Sequence, residues 1–179
     1  MTRAIALALL VLALPARADP LTDLVRDGGG ACFSRQFTAT ELRARPDQTV
    51  RSLTLEVVRA APLKPGDPAV AEIMVVLTRT DRPGIFGYRA TCVDPLPNGA
   101  GCMGFLTPGS AEEAGDTTVT LGEGTRSARL SIGSSLKVTP LGEAVSRVVV
   151  LPFGPADSTL ELAAAPRRTC AVLDGASPD

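Results

Sequence analysis

The chain has 179 residues and a formal net charge of −1, contains no histidine or tryptophan, and is only 3% aromatic. The slightly acidic balance excludes the basic surface on which nucleic-acid binding depends. The lack of histidine excludes Ser-His and Cys-His nucleophile pairs and removes the commonest metal ligand. A core with so few aromatic residues must be built mainly from Val, Leu, Ile and Ala.

The first eighteen residues have the pattern of a secretory signal peptide. Arg3 precedes an apolar run over residues 4–14 (AIALALLVLAL), and an A-x-A cleavage pattern ends at Ala18. The run is too short to cross a bilayer core, which requires about 20 residues. Cleavage after Ala18 removes Arg3 and Arg17, so that 16 Lys and Arg face 19 Asp and Glu and the charge becomes −3. We therefore expect an exported protein, periplasmic or extracellular, with no membrane span in its mature form.

The remaining chain has the length of one domain. Residues 19–30 are predicted to be a flexible lead-in, in which Leu21, Leu24 and Val25 form at most one helical turn before three glycines. A single β domain is expected over residues 31–173, followed by a flexible tail over residues 174–179.

Four cysteines in an exported chain predict two disulfides. We favour Cys92 with Cys102, because they flank a turn-rich segment (DPLPNGAG), and Cys32 with Cys170, which joins the first strand to the last. A redox or metal role fits poorly, since the chain has neither a C-x-x-C motif nor histidine. No cofactor is predicted.

An alternation of apolar and polar residues dominates the chain. Residues 38–41 (TATE) match a capping box and predict one short helix that ends before Pro46. About ten short strands are expected, the last ones being SRVVVLPF, STLELAAA and RTCAVL, with an acidic loop (PGSAEEAGDT) after CMGFL. This spacing predicts an all-β fold, either an antiparallel β-sandwich or a small β-barrel.

No motif for a nucleophile elbow or a nucleotide cradle is present in the sequence. Ser134 and Lys137 match S-x-x-K, but three residues along a strand place two side chains on opposite faces. A pair of glutamates can hydrolyse glycosides, yet their spacing brings no two together. The glutamates considered are Glu56, Glu72, Glu112, Glu113, Glu123, Glu143 and Glu161.

The first candidate binding surface is the loop over residues 94–101, held between Cys92 and Cys102. Restricting a loop in advance lowers the entropy lost on binding. Leu96 and Asn98 lie in this loop, and Met103 and Phe105 follow the second cysteine. The alternative is a stapled connector with no ligand.

The second candidate is an aromatic patch of Phe86 and Tyr88, which share a strand face, beside Arg89. Packing of both rings in the core is the alternative. Arg35 lies within a predicted strand and either faces solvent or pairs with a buried carboxylate such as Glu56 or Glu72.

These observations predict an exported β domain that acts by binding, as an envelope accessory or inhibitor-like module. Its partner is an unknown protein or envelope component. Two alternatives stay open: a small hydrolase of envelope polymers that uses a carboxylate pair or a Ser-Lys dyad, and a purely structural role in the envelope.

Overall fold

The computed structural model describes residues 20–26, 29–61, 69–96, 99–106, 112–142 and 147–171. The predicted signal peptide, the predicted C-terminal tail and Asn98 lie outside these ranges.

The described chain is an all-β structure with ten strands and a few short helices, which confirms the predicted class. The first half contains α1 (Pro20–Val25), β1 (Gly30–Gln36), α2 (Ala39–Ala44), β2 (Val50–Arg59), β3 (Ala69–Arg79), β4 (Ile85–Leu96) and β5 (Gly99–Phe105). The second half contains β6 (Glu113–Leu121), a 3-10 turn (Glu123–Thr125), β7 (Ser127–Ile132), β8 (Ser135–Pro140), β9 (Val149–Pro152), β10 (Thr159–Ala165) and α3 (Arg167–Cys170).

Eight of the strands form a closed antiparallel barrel, which decides between the two architectures that the sequence left open. Around the ring the order is β1, β2, β3, β4, β5, β6, β7 and β10, and β10 pairs again with β1. The hairpin of β8 and β9 joins the ring beside the first half of β4, where Phe86 opposes Pro140.

The barrel interior is mainly aliphatic, and its buried side chains alternate with outward-facing ones along the strands. Along β2, Leu53, Leu55 and Val57 are buried in the core, and the residues between them face outward. Ile73, Val75 and Leu77 repeat this pattern on β3.

Phe86 and Tyr88 belong to this interior, so an aromatic patch on the surface is wrong. They are 3% and 4% exposed. The Tyr88 hydroxyl donates to the carbonyl oxygen of Gly115 at 2.7 Å. A Cβ on Gly104 would lie 2.4 Å from the Tyr88 ring, which explains why β5 has a glycine there.

Three local expectations also need correction. α1 is docked rather than free, because Leu21 and Val25 are buried in the core. The segment RTCAVL begins with the helix α3, and its Cys170 packs against the outside of the barrel beside Met74. The acidic loop is shorter than predicted, since β6 begins at Glu113.

The predicted short helix is present as α2, and its capping box is complete. Thr38 accepts a hydrogen bond from the backbone of Glu41, and the Glu41 carboxylate accepts from the backbone of Thr38. This backbone hydrogen bond lowers the pKa of Glu41 below its ordinary value. Glu41 also pairs with Arg35 at 2.5 Å, so the partner of Arg35 is neither of the carboxylates proposed from the sequence.

A buried polar cluster fastens one end of the barrel. The carboxylate of Asp157, which is fully buried, accepts hydrogen bonds from the backbone N–H groups of Thr49 and Val50 at about 3.0 Å and from the Gln48 side chain. Arg79 on β3 pairs with Val50 in the register of the two strands, and its side chain donates a hydrogen bond to the Pro152 carbonyl at 2.8 Å. The loop before β10 is thereby bound to the start of β2.

Within the described ranges, no helix has the length and apolar character needed to cross a membrane.

Candidate binding site

The outer face of the β4–β5 strand pair presents three large apolar side chains to solvent. Val93, Met103 and Phe105 are 44%, 39% and 37% exposed. They face outward because the alternation of each strand is set by Cys92 and Cys102, which point into the core. Met103 and Phe105 were predicted as surface residues, and both are exposed.

Gly101 makes a shallow depression in the middle of this face. It lies directly opposite Val93 on β4 and opposite Thr118 on β6. Apart from Gly101 and its two chain neighbours, no described residue has an atom within 4 Å of the position that a Cβ would take on Gly101. The depression has a volume of about 240 Å³, and Met103 and Asp116 also line it. We call this feature the Gly101 depression.

An acidic edge runs beside the apolar side chains. Met103 lies opposite Asp116, and Phe105 lies opposite Glu113, on the neighbouring strand β6. Both carboxylates belong to exposed residues. Cross-strand neighbours on one face have Cβ atoms roughly 5 Å apart, so each apolar side chain of β5 has a negative charge within reach of the same ligand.

A disulfide fixes the strands that form the floor of the depression. Cys92 and Cys102 are directly opposite each other on β4 and β5, and their bridge is buried in the core. The bridge therefore holds Val93 and Gly101, the residues next to it, in one register. This is the pair that the sequence favoured, and the second bridge joins Cys32 to Cys170. Two bridges within one chain are compatible with an oxidising, exported environment.

The structure separates the other residues of the predicted surface. Leu96 is the last residue of β4, but its side chain and the whole of Asn98 lie outside the described part. Arg89 is exposed and forms an ion pair with Glu72 at 2.9 Å. Sequence reasoning missed Val93 and Gly101. Alternation from a buried Cys92 would have placed Val93 on the surface.

Four of the groups considered for hydrolysis, Glu72 among them, form ion pairs, and Glu143 lies outside the described residues. The Lys137 ammonium pairs with Glu112 at 2.8 Å, and Glu161 pairs with Arg129 at 2.5 Å. Asp81 accepts two hydrogen bonds from Arg79, which lower the pKa of this carboxyl. Within the described ranges, no group of three or more His, Cys, Asp or Glu residues is arranged to hold a metal ion.

No family model, no curated protein and no solved structure matches this chain.

Proposed function

We propose that this protein is an exported binding module whose partner is a protein that inserts a basic side chain into the Gly101 depression. The observation that supports the proposal is the open floor at Gly101 between the apolar side chains of Val93 and Met103 and the carboxylate of Asp116. The aliphatic stem of a lysine or arginine packs on the apolar walls while its charged head pairs with Asp116.

Charge complementarity favours a basic partner over an acidic one. Asp116 and Glu113 lie on the same side of the exposed apolar face, and the protein as a whole is acidic. Exposed ion pairs contribute only about 0–1 kcal/mol, whereas fully burying one large apolar side chain contributes about 1.5–3 kcal/mol. The affinity therefore comes mainly from Val93, Met103 and Phe105, and the carboxylates select the charge of the partner.

The conformation of the site supports binding without rearrangement. The Cys92–Cys102 bridge and the hydrogen-bonded strands on both sides of β5 fix the depression before a partner arrives. A preformed surface loses less conformational entropy on association. An envelope accessory or inhibitor-like module would use this property.

The test is a variant that fills the depression without disturbing the barrel. Gly101→Thr adds a β-branched side chain, which suits a strand, into space that is open in the described structure. Gly154→Thr is the matched control, because the Cβ position of Gly154 is also open and lies in the loop between β9 and β10.

The probes are three fluorescent peptides that alternate leucine with arginine, norleucine or glutamate, measured by anisotropy. We expect the arginine peptide to bind best and the glutamate peptide worst. Gly101→Thr should abolish binding, Gly154→Thr should leave it unchanged, and Asp116→Asn should weaken only the arginine peptide. Equal binding of the arginine peptide to the Gly101→Thr variant and its control, or no preference among the peptides, would refute the proposal.

A further inference from the structure

A second concave surface lies on the outer face of β1, β2 and β3, and it shares no lining residue with the Gly101 depression on β4, β5 and β6. It is a groove of about 680 Å³. The turn between β3 and β4, with Pro83 and Gly84, forms one wall, and Thr169 of α3 forms part of another. We call it the Arg51 groove. Its volume is within the range of small-ligand sites, roughly 300–1,000 Å³.

The floor of the Arg51 groove is a regular array of hydroxyl and amide side chains. Gln36, Ser52 and Thr78 form one row across the three strands, and Ser34 and Thr54 lie opposite each other in the next row. The hydroxyl oxygens of Ser52 and Thr78 are 2.7 Å apart, within hydrogen-bond distance. Each hydroxyl can both donate and accept, which matches the hydroxyl groups of a sugar.

A β-bulge adds one arginine to this array. The pairing of β2 with β3 shifts between Val50 and Ser52, so β2 has one extra residue at Arg51. Val50 and Leu53 are both buried in the core, and Arg51 and Ser52, which lie between them, both line the groove. Regular alternation would put only one of these two residues on the outer face, and bulges often redirect a side chain in this way.

The charge of Arg51 is not balanced by a carboxylate in the described part of the chain. The other two arginines that line the groove have acidic partners, Arg35 through Glu41 and Arg79 through Asp81. Among the described lining residues there is no aspartate or glutamate. The groove is therefore locally positive on a protein whose net charge is negative.

We infer that the Arg51 groove binds an acidic saccharide, with Arg51 on its carboxylate and the hydroxyl array on the sugar ring. Arginine donates two parallel hydrogen bonds to a carboxylate. An extended peptide fits less well, because β1, β2 and β3 each pair with a strand on both sides and offer no free backbone edge. Recognition must come from side chains.

One wall of the groove depends on a disulfide. Thr169 precedes Cys170, and the Cys32–Cys170 bridge fastens α3 to the outer side of β1. The bridge therefore positions Thr169 beside the hydroxyl array. Formation of the Cys32–Cys170 disulfide is therefore needed to complete the Arg51 groove.

The experiment is calorimetric titration of the full oxidised protein with tetragalacturonate. The comparison ligands are neutral maltotetraose, inorganic phosphate and a glutamate tetrapeptide. The variants are Arg51→Gln, which removes the charge, and Thr54→Val, which removes one hydroxyl at constant shape. Arg126→Gln is the control, because Arg126 is an exposed arginine next to the 3-10 turn and does not line the groove.

We expect tetragalacturonate to bind and maltotetraose to bind at least tenfold more weakly. Arg51→Gln should weaken tetragalacturonate binding about tenfold or more, equivalent to about 1.4 kcal/mol, and Thr54→Val should weaken it severalfold. Arg126→Gln should change it less than twofold, and circular dichroism should show that all variants fold.

Absence of binding to tetragalacturonate, or equal affinity in Arg51→Gln and its control, would overturn the inference. Phosphate or the glutamate tetrapeptide binding as tightly as tetragalacturonate would overturn it too, in favour of a general anion site or a peptide site. The Gly101→Thr variant should bind tetragalacturonate normally, so this result does not depend on the outcome for the Gly101 depression.

Discussion

The two disulfides should stabilise the protein unequally, although they are equally buried. The Cys32–Cys170 bridge spans 138 positions of the sequence and the Cys92–Cys102 bridge spans 10. A cross-link stabilises a fold mainly by restricting the unfolded chain, and the effect grows with the length of the closed loop. We consider the two double-alanine variants that each lack one bridge.

The loop lengths give the expected magnitudes. The entropy relation predicts a loss of about 5 kcal/mol for removing the long bridge and about 2.7 kcal/mol for removing the short one. Cys32 and Cys102 are each 3% exposed, and Cys92 and Cys170 are each 0% exposed. All four cysteines are thus buried to a similar extent, and we assign the expected difference of about 2.3 kcal/mol to the loop term.

The assay is equilibrium unfolding in urea, followed by far-ultraviolet circular dichroism. The variant that lacks Cys32 and Cys170 should have the lower midpoint and also a steeper dependence on urea, because its unfolded chain exposes more surface. Equal losses of stability, or a larger loss for the variant that lacks Cys92 and Cys102, would refute the reasoning from loop length.

Two further predictions concern buried polar groups. Burial raises the pKa of Tyr88, the only tyrosine, to about 12. Because the unfolded chain then loses this proton at a lower pH than the folded one, the free energy of unfolding should be constant below pH 10 and should fall by about 3 kcal/mol as the pH rises toward 12. Tyrosinate absorbance during an alkaline titration checks this, and ionisation near pH 10 in a folded protein would contradict it. Asp157→Ala leaves the N–H groups of Thr49 and Val50 unpaired, which should lower the free energy of unfolding by about 3 kcal/mol. Thermal unfolding measures this loss, and a loss of less than about 1 kcal/mol would contradict the role given to the polar cluster. Asp23→Ala, on the exposed side of α1, is the control.

The strands could be predicted because their information is local. In β2, Leu53, Leu55 and Val57 alternate with Ser52, Thr54 and Glu56, which fixes the buried face, whereas β3 is apolar on both faces and is recognised by its length and its β-branched residues. The capping box of α2 is equally local. Closure of the barrel could not be predicted, because it depends on the long-range pairing of β1 with β10, and side-chain alternation does not name the partner of a strand.

The two binding surfaces depend on positions where the local pattern is incomplete. Gly101 in a sequence indicates only a weakened strand, and it becomes a depression because Val93 and Thr118 stand on both sides of it. From Val50 to Leu53 the sequence places two polar residues between two apolar ones, which breaks strict alternation, but the break does not by itself distinguish a bulge from the start of a strand. The sequence of α3 does not distinguish a helix from a strand, because four residues are too few to define a period.

The pairing of β1 with β10 has a consequence for how the molecule is made. During synthesis, the backbone groups on one edge of β1 have no strand to pair with until residues 159–165 have been made. Cys32 likewise has no partner until Cys170 has been made. Cys92 and Cys102 meet much earlier. Assembly of the ring therefore comes after synthesis of β10, and until then the Cys32 thiol and the free edge of β1 can pair with wrong partners.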